Sequence, residues 1–595
     1  MLLQRIDWLI IALYFVISLV IGIIYSRRAG SSTAEFFGGG RAQPWWLLGV
    51  SMVATTFSTD TPNLVTDMVR QHGVSGNWLW WAFLLTGMLT VFVYARLWKK
   101  SGVLTDIEFY ELRYSGRPAA FLRGFRALYL GFFFNIVIMA SVSLAAIKIG
   151  GILLNLTPVQ TILLACLVTA LYSALGGLMG VLVTDFFQFF VAMAGSFVAA
   201  VVALRLPQVG GLSGLLGHEA VRSRLSLLPD FSNTPELLTV LLIPLAVQWW
   251  SVWYPGAEPG GGGYIAQRML AAKNERHATG SVLLFNAAHY ALRPWPWIIV
   301  ALCSLIVFPS LDSLRTAFPQ AAKIGHDMGY PAMLTFLPVG LLGMVVASLI
   351  AAYMSTIATH LNWGSSYMVN DFYKRFIRPA GSEKEMVLVG RISTVLLMFL
   401  AGIVALLMKN ALDSFQIMLQ IGAGTGLIFI LRWFWWRINA WSEIAAMVVS
   451  FLAAVYFRFL HGLTGLPKIS DWAQLVIGVV VTTCGWLIVT FLTKPTEEKV
   501  LLSFYRKLRP GGPGWRAFLE RAKAVGESSG GLEAAWRVPR GILCMFLGCV
   551  AVYSVLFATG YWIYSKTLPA VILSATAIVS TILLFRLWGW VVRDS

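Results

Sequence analysis

The 595-residue sequence predicts an all-α polytopic membrane protein of about fifteen transmembrane helices, and three observations predict it. Hydrophobic residues make up 58% of the chain and charged residues 12%, with a mean hydropathy of +0.74. Apolar runs of roughly 20 residues, the length a helix needs to cross a hydrocarbon core, recur from end to end. The 45 Lys and Arg, against 27 Asp and Glu, gather in alternate connections. In a soluble chain a net charge of +18 would suggest nucleic acid. In alternate loops of a membrane chain it sets orientation, so no nucleic-acid partner is expected.

Hydropathy places the helices at 7–26, 45–69, 76–98, 121–148, 158–175, 178–206, 236–258, 280–308, 331–361, 387–409, 413–435, 440–460, 473–493, 540–564 and 568–592. The first is too long for a signal-peptide core, and Arg27-Arg28 follows it instead of a small-residue cleavage site, so it is expected to remain as a helix. Basic connections at 27–41, 96–126, 268–276, 374–391, 432–437 and 494–540 face the cytoplasm by the positive-inside rule. That puts the N-terminus outside and, with an odd number of crossings, the C-terminus inside. The expected setting is the inner (plasma) membrane of the cell, crossed many times, with lipid as a partner. Cys166, Cys303, Cys484, Cys544 and Cys549 all lie in apolar runs without CxxC or Cys/His spacing, which argues for packing and against a disulfide framework or a zinc site. The longest polar stretch, 494–540, is divided into short helical pieces by Pro510-Gly511-Gly512-Pro513-Gly514 and Ser528-Ser529-Gly530-Gly531. It reads as a topology signal in contact with lipid headgroups.

Two of the expected helices are interrupted. Ser58-Thr59-Asp60-Thr61-Pro62 breaks the run 45–69, because proline removes a backbone donor and Ser, Thr and Asp compete for backbone hydrogen bonds. Gln248-Trp249-Trp250-Ser251, after Pro244, breaks the run 236–258. Each break falls in the first helix of a group of five, a layout that points to an inverted five-plus-five-helix repeat. The chain then divides into an N-terminal helix and cytoplasmic loop (1–44), a first repeat (45–206), an external connection (207–235) and a second repeat (236–435). Peripheral helices (436–493), the basic cytoplasmic segment (494–539) and a C-terminal helix pair (540–595) follow.

Polar residues inside the apolar runs carry the chemistry. Asp60 is the sharpest, since a carboxylate at membrane depth usually lines a cavity or is buried in protein, and Arg293 is a candidate partner for it. Thr184, Asp185 and Gln188 form a polar patch after the glycine pair Gly176-Gly177, which fits a tight turn, and Asp185 is expected to face the interior. In the stretch 351–359, Ser355, Thr356 and Thr359 place hydroxyls on one side of a helix, with Ala352 one turn earlier. Hard cations take such oxygens, although small and hydroxyl residues also serve close helix packing. No Ser/His/Asp, Cys/His or metal-ligand constellation stands out among the seven histidines, which argues against an enzyme; His289 and His360 read as structural or pathway groups.

Four motifs together make the chain resemble the sodium:solute symporter family, which includes the sodium/proline and sodium/glucose cotransporters. They are Trp45-Trp46 leading to Ser51-Met52-Val53-Ala54 and the break; Gly176-Gly177 with Thr184-Asp185; Tyr264-Ile265-Ala266-Gln267-Arg268 with Leu270-Ala271-Ala272-Lys273; and Ala352 to Thr356 followed by Asp371-Phe372-Tyr373-Lys374. Their order and spacing match over about residues 5–495. The resemblance implies a leucine-transporter-type fold, with Na+ as coupling ion and no organic cofactor. The implied sodium site uses backbone carbonyls of Ala54, Phe57 and Ala352 and hydroxyls of Ser355 and Thr356. A second sodium site, found in some relatives, is implied at Asp185, Ser355 and Thr359, although Ala358 stands where those relatives carry another hydroxyl. Thr56 stands where sodium/proline relatives carry an aspartate.

For contact with a small organic solute the residues selected are Asp60, Thr61, Trp80, Trp81, Gln248, Trp249 and Gln420, polar or aromatic positions on helices expected to surround the centre. The sugar-binding residues of sodium/sugar relatives are not reproduced one for one. A hydroxylated solute such as a sugar is slightly preferred, with an amino acid next. The expected activity is sodium-coupled symport, with a transporter-like solute sensor as the alternative. The glycine-rich connection with Gly260 to Gly263 reads as a hinge or gate, or as ordinary linkage, and lacks the Gly-Lys-Ser/Thr ending of a phosphate-binding loop. Oligomeric state is not legible.

Overall fold

A computed structural model describes residues 3–29, 32–251, 258–319, 324–408, 422, 424–524 and 535–593. Among these the protein is built of helices, and the one β-type pairing is an isolated parallel bridge between Gln43 and Ala272. Away from its ends a helix pairs its backbone donors and acceptors internally, which is what lets apolar sequence cross a bilayer. Eleven helices among the described residues are long and apolar enough to cross. Three of the other expected segments contain shorter apolar helices, Trp45–Thr56, Pro158–Ala170 and Thr234–Ala246. The fifteenth, 413–435, lies partly outside the described residues.

The helices that frame the centre are α1 (Arg5–Ala29), α2 (Trp45–Thr55), α3 (Asp60–His72), α4 (Pro158–Leu204), α5 (Gly263–Ala271), α6 (Glu275–Ala287) and α7 (Leu341–Ser366). Between α2 and α3 the chain leaves the helix at 56–59. The hydroxyl of Thr56 donates to the carbonyls of Met52 and Val53 at 3.1 and 2.9 Å, competing for helical acceptors. The Thr61 hydroxyl then ties the break together, accepting from the Ser58 amide and donating to the Thr56 carbonyl. Pro62 sits in the first turn of α3, where its missing N–H costs nothing. In the second run the helix ends at Ala246, Gln248–Trp250 form a tight 3-10 turn, and Ser251 is extended. Both predicted interruptions are therefore present.

Helix α4 is two apolar helices joined at a kink, with Gly177 at φ 55°. That left-handed value is why the glycine pair is needed there. The half of α4 beyond the kink packs against α1, α2 and α7, so Asp185 is fully buried. Helix α7 offers Ala351, Ala352 and Ala358 to its neighbours, and small side chains let the backbones approach closely.

The glycine-rich connection is pinned rather than loose. Gly260 and Gly261 have φ of +88° and +86°. The Gly260 carbonyl accepts from Trp98 Nε1 at 2.8 Å, and the Gly263 amide donates to Asp106 at 2.8 Å. Glu258 is held between Arg126 and Arg432, and Arg432 also reaches Glu443 at 3.4 Å. Residues 252–257 of the same connection lie outside the described residues.

The segment 494–539 also contacts the bundle, and its residues 525–534 lie outside the described residues. Its helices Glu498–Leu508 and Pro513–Ala524 bury Phe504, Tyr505, Trp515 and Phe518 against the bundle. Trp515 donates to the Trp433 carbonyl at 3.0 Å, and the Arg113 guanidinium lies 5.1 Å from the Trp515 ring centre. The C-terminal pair, α8 (Val538–Ile563) and α9 (Thr567–Arg593), pack on each other, and α8 lies against Trp78, Trp81 and Trp295.

Candidate functional site

The end of α2, the middle of α7 and Asp185 on α4 meet in a polar seam inside the bundle. Ala54, Thr55, Phe57, Ala352, Ser355, Thr356 and Thr359 are each at most 2% exposed. Thr356 donates to the Thr55 carbonyl at 2.7 Å and to the Ala352 carbonyl at 3.2 Å. The hydroxyls of Thr55 and Thr359 lie 3.0 Å apart. Because α2 stops at Thr55, carbonyls of its last turn lack their usual helical partners and are oxygen donors for a ligand. The Ala54 carbonyl accepts from the turn, at 3.0 Å from the Phe57 amide. Carbonyl and hydroxyl oxygens form a neutral, hard donor set that fits an alkali cation. No cluster of three His, Cys, Asp or Glu suited to a transition metal occurs among the described residues.

Asp185 organises the neighbouring part of the seam. It accepts from Ser51 at 2.5 Å and from Ser355 at 2.6 Å. The second set named from sequence, Asp185, Ser355 and Thr359, is thus assembled, but it already holds a cation. Arg268 on α5 is fully buried, with Nη2 2.7 Å from the Thr359 hydroxyl and 3.7 Å from Asp185. It also donates to Ser51 and to Gln267. A guanidinium in this position supplies the positive charge that a carboxylate buried among hydroxyls requires.

A cavity begins at Thr56 in the break and extends to Glu258 and Gly261 of the glycine-rich connection. Thr86, Thr90, Tyr264, Asn286 and His289 bring polar atoms to its wall. Among the described residues, those selected from sequence for the solute stand one layer back. Trp80 stacks on Tyr290 and meets the His289 ring edge-on. The Trp249 carbonyl accepts from Thr86, Gln248 donates to the Leu79 carbonyl at 2.9 Å, and Thr61 braces the break. Trp81 turns away and packs on Trp78 and Phe557. Asp60 opens α3 on the far side of the break, where a carboxylate favours the positive end of the helix. Gln420 lies outside the described residues. Arg293, a candidate partner for Asp60, instead donates to the Val53 carbonyl and to Thr56, both at 3.1 Å. The spacing of Asn286 and His289, three apart in an apolar run, and of Thr86 and Thr90, four apart, is the sequence signal that could have found the wall.

Comparison with known proteins bears on the family and the fold. The family model described as the sodium:solute symporter family matches residues 36–450. A sodium/glucose cotransporter of Vibrio parahaemolyticus is 27% identical over 483 residues, covering 77% of this chain and 86% of that protein. Sodium/glucose cotransporter 4 of Danio rerio is 28% identical over 556 residues, covering 84% and 80%. A solved structure of a substrate-bound, outward-open Na+-coupled sialic acid symporter superposes with a TM-score of 0.66 at 20% identity, covering 83% of this chain and 99% of that one, which establishes a shared fold.

Proposed function

The chain belongs to the sodium:solute symporter family, and from that premise we propose that it imports a small organic solute by alternating access, using sodium bound where α2 breaks against α7. Membership makes it a sodium-coupled membrane transporter and not an enzyme. In the proposed cycle sodium takes the carbonyls of Ala54, Phe57 and Ala352 and the hydroxyls of Ser355 and Thr356. The observation that carries this reading is the junction of Thr356 with Thr55 and Ala352, which brings hydroxyls of one repeat onto the broken helix of the other. A cation there would draw the two repeats together and preorganise the adjoining cavity, so sodium and solute affinities are coupled. A membrane potential adds about 2.3 kcal/mol per elementary charge per 100 mV to inward movement.

The solute is proposed to be a sugar or another hydroxylated molecule, in keeping with the relatives and with the hydroxyl, amide and aromatic groups at the cavity wall. One sodium per cycle is proposed, because Arg268 supplies the charge at Asp185. The proposed location is the plasma membrane, with the basic connections inside. Uptake of a mixed set of radiolabelled solutes into proteoliposomes, with an inward sodium gradient and without one, tests the reading. Accumulation above equilibrium that requires the gradient is expected; uptake of a transported solute at the same rate and extent without sodium would remove it.

A further inference from the structure

Resting on the symport reading, we propose that the solute is a hydroxylated carboxylic acid, such as a sugar acid, and that Arg293 is the residue that selects its negative charge. Arg293 is 1% exposed, next to the helix break at the centre of the bundle. It has no carboxylate within ion-pair distance among the described residues. Its acceptors are the Val53 carbonyl, the Thr56 hydroxyl and, at 3.4 Å, His289 Nε2. Its Nε is buried without a partner. The rings of Phe57 and Trp297, with centres 5.9 and 5.3 Å away, also face the charge, and the Tyr264 and Tyr290 phenols are near enough to interact with it.

The other buried arginines differ in this respect. Arg268 faces Asp185, and Arg126 and Arg432 share Glu258. Arg70 and Arg113 lack carboxylates but each caps carbonyls at helix ends: Ser304 and Phe308 for the first, Arg432, Trp435 and Trp436 for the second. Arg293 reaches one carbonyl. A guanidinium removed from water with so little compensation is costly, and an anionic ligand brought alongside it would recover that cost on binding.

Position ties this charge to the cavity. Thr56 and His289, both bonded to the guanidinium, are cavity-wall residues. The carbonyl of Ala54, assigned to sodium, follows Val53 in the chain, so sodium and an anion held by Arg293 would be neighbours at the break. Sodium and solute would then favour each other electrostatically as well as sterically.

A second, independent observation concerns the rest of the solute. Asn286 lines the same cavity, and its Oδ1 is buried with no donor. Its amide nitrogen is committed to the Val282 carbonyl at 2.8 Å, which fixes the orientation of the group. That oxygen packs on Gly87, itself a wall residue, and a ligand hydroxyl reaching it would supply the missing donor. Carboxylate at one end and hydroxyl at the other describe a hydroxy acid.

The test uses the full-length protein and two matched pairs, D-glucuronate against D-glucose and D-gluconate against D-sorbitol. Thermal stabilisation in detergent and competition for uptake in proteoliposomes are measured with sodium present. At least one acid is expected to act at a concentration ten-fold or more below its neutral partner, the scale of one charge-assisted hydrogen bond, about 1.5–3 kcal/mol or roughly ten- to a hundred-fold. Arg293→Gln is expected to erase that preference, and Arg293→Lys, which keeps the charge, to retain part of it. Monodisperse elution of both variants reports that they fold. Preference for the neutral partner, equal action of the two, failure of both acids, or a preference that survives Arg293→Gln would overturn the proposal. A neutral sugar carried with sodium coupling would overturn it while leaving the symport reading intact. An acid carried without sodium would do the reverse.

Discussion

Replacing Asp185 by Asn isolates the charge in the seam with little change in shape. The wild-type carboxylate accepts from Ser51 and Ser355 and lies 3.7 Å from Arg268, with both charged groups fully buried. Hydroxyl hydrogens can rotate to suit an amide, so most of the loss falls on the ion pair. At an effective dielectric of ~20, two unit charges at that separation interact by about 4 kcal/mol. Leaving Arg268 as an uncompensated buried charge is worth about 3–5 kcal/mol by the experience of broken buried pairs, and the two values agree. Arg268→Gln should cost a similar amount by stranding Asp185. The double variant should recover about 2–3 kcal/mol of the summed loss, because its seam is neutral again. Melting midpoints of the four proteins in detergent give the cycle. Radiolabelled sodium binding to the same samples should follow a Hill coefficient of about one in wild type and in Asp185→Asn alike. Losses that simply add, or a wild-type sodium curve that is sigmoidal and becomes hyperbolic in Asp185→Asn, would refute the assignment of Arg268 as the resident cation.

Two further outcomes follow from the packing around the site. Trp515→Ala removes a fully buried indole that stacks on Phe504 and donates to Trp433. A loss of about 3–5 kcal/mol is expected, enough to undock the helices Glu498–Leu508 and Pro513–Ala524. Trypsin should then cut within 498–524 faster than in wild type, and unchanged cleavage would contradict the docking. Gly261→Ala places a Cβ 2.6 Å from Met269 Cε and 3.1 Å from Thr90 Cγ2 at a φ of +86°. The methionine end can move, so the backbone conformation dominates and about 1–2 kcal/mol of destabilisation is expected. An unchanged melting midpoint would show that the loop does not require this conformation.

The parts of the fold that were legible in the sequence are those written as local chemistry. Ser58 to Pro62 gather side chains that compete for backbone hydrogen bonds beside a proline that cannot donate one, and Gly176-Gly177 marks a turn whatever packs around it. The run 351–359 announces a polar face because hydroxyls four apart share a side. What stayed hidden depends on how helices rotate against each other. Trp80 and Trp81 are about 100° apart around one axis, so one meets His289 while the other meets Phe557. Sequence does not state that rotation. Arg268 was legible as part of a motif, yet its contact with Thr359 spans 91 positions and required the fold. The segment 494–539 was read by its charge, whereas burial of Phe504 and Trp515 docks its helices on the bundle, a contact that its basic residues do not announce.

The same view explains how two roles share one seam. Ser355 donates to Asp185, on the Arg268 side, while Thr356, its neighbour in sequence, donates to Thr55 at the break. Adjacent residues on α7 therefore join the Asp185–Arg268 pair to the break, so the proposed sodium site, which uses both hydroxyls, is braced by the ion pair.

The most direct measurement of the central claim is equilibrium binding of radiolabelled sodium to the purified protein, wild type against Thr356→Ala. Removing that hydroxyl deletes one proposed ligand together with its bonds to Thr55 and Ala352. The account predicts saturable sodium binding in wild type and an apparent affinity lowered roughly ten-fold or more in the variant, the scale of one lost ligand of about 1.5 kcal/mol or greater. Sodium binding of unchanged affinity in a folded Thr356→Ala protein would contradict it.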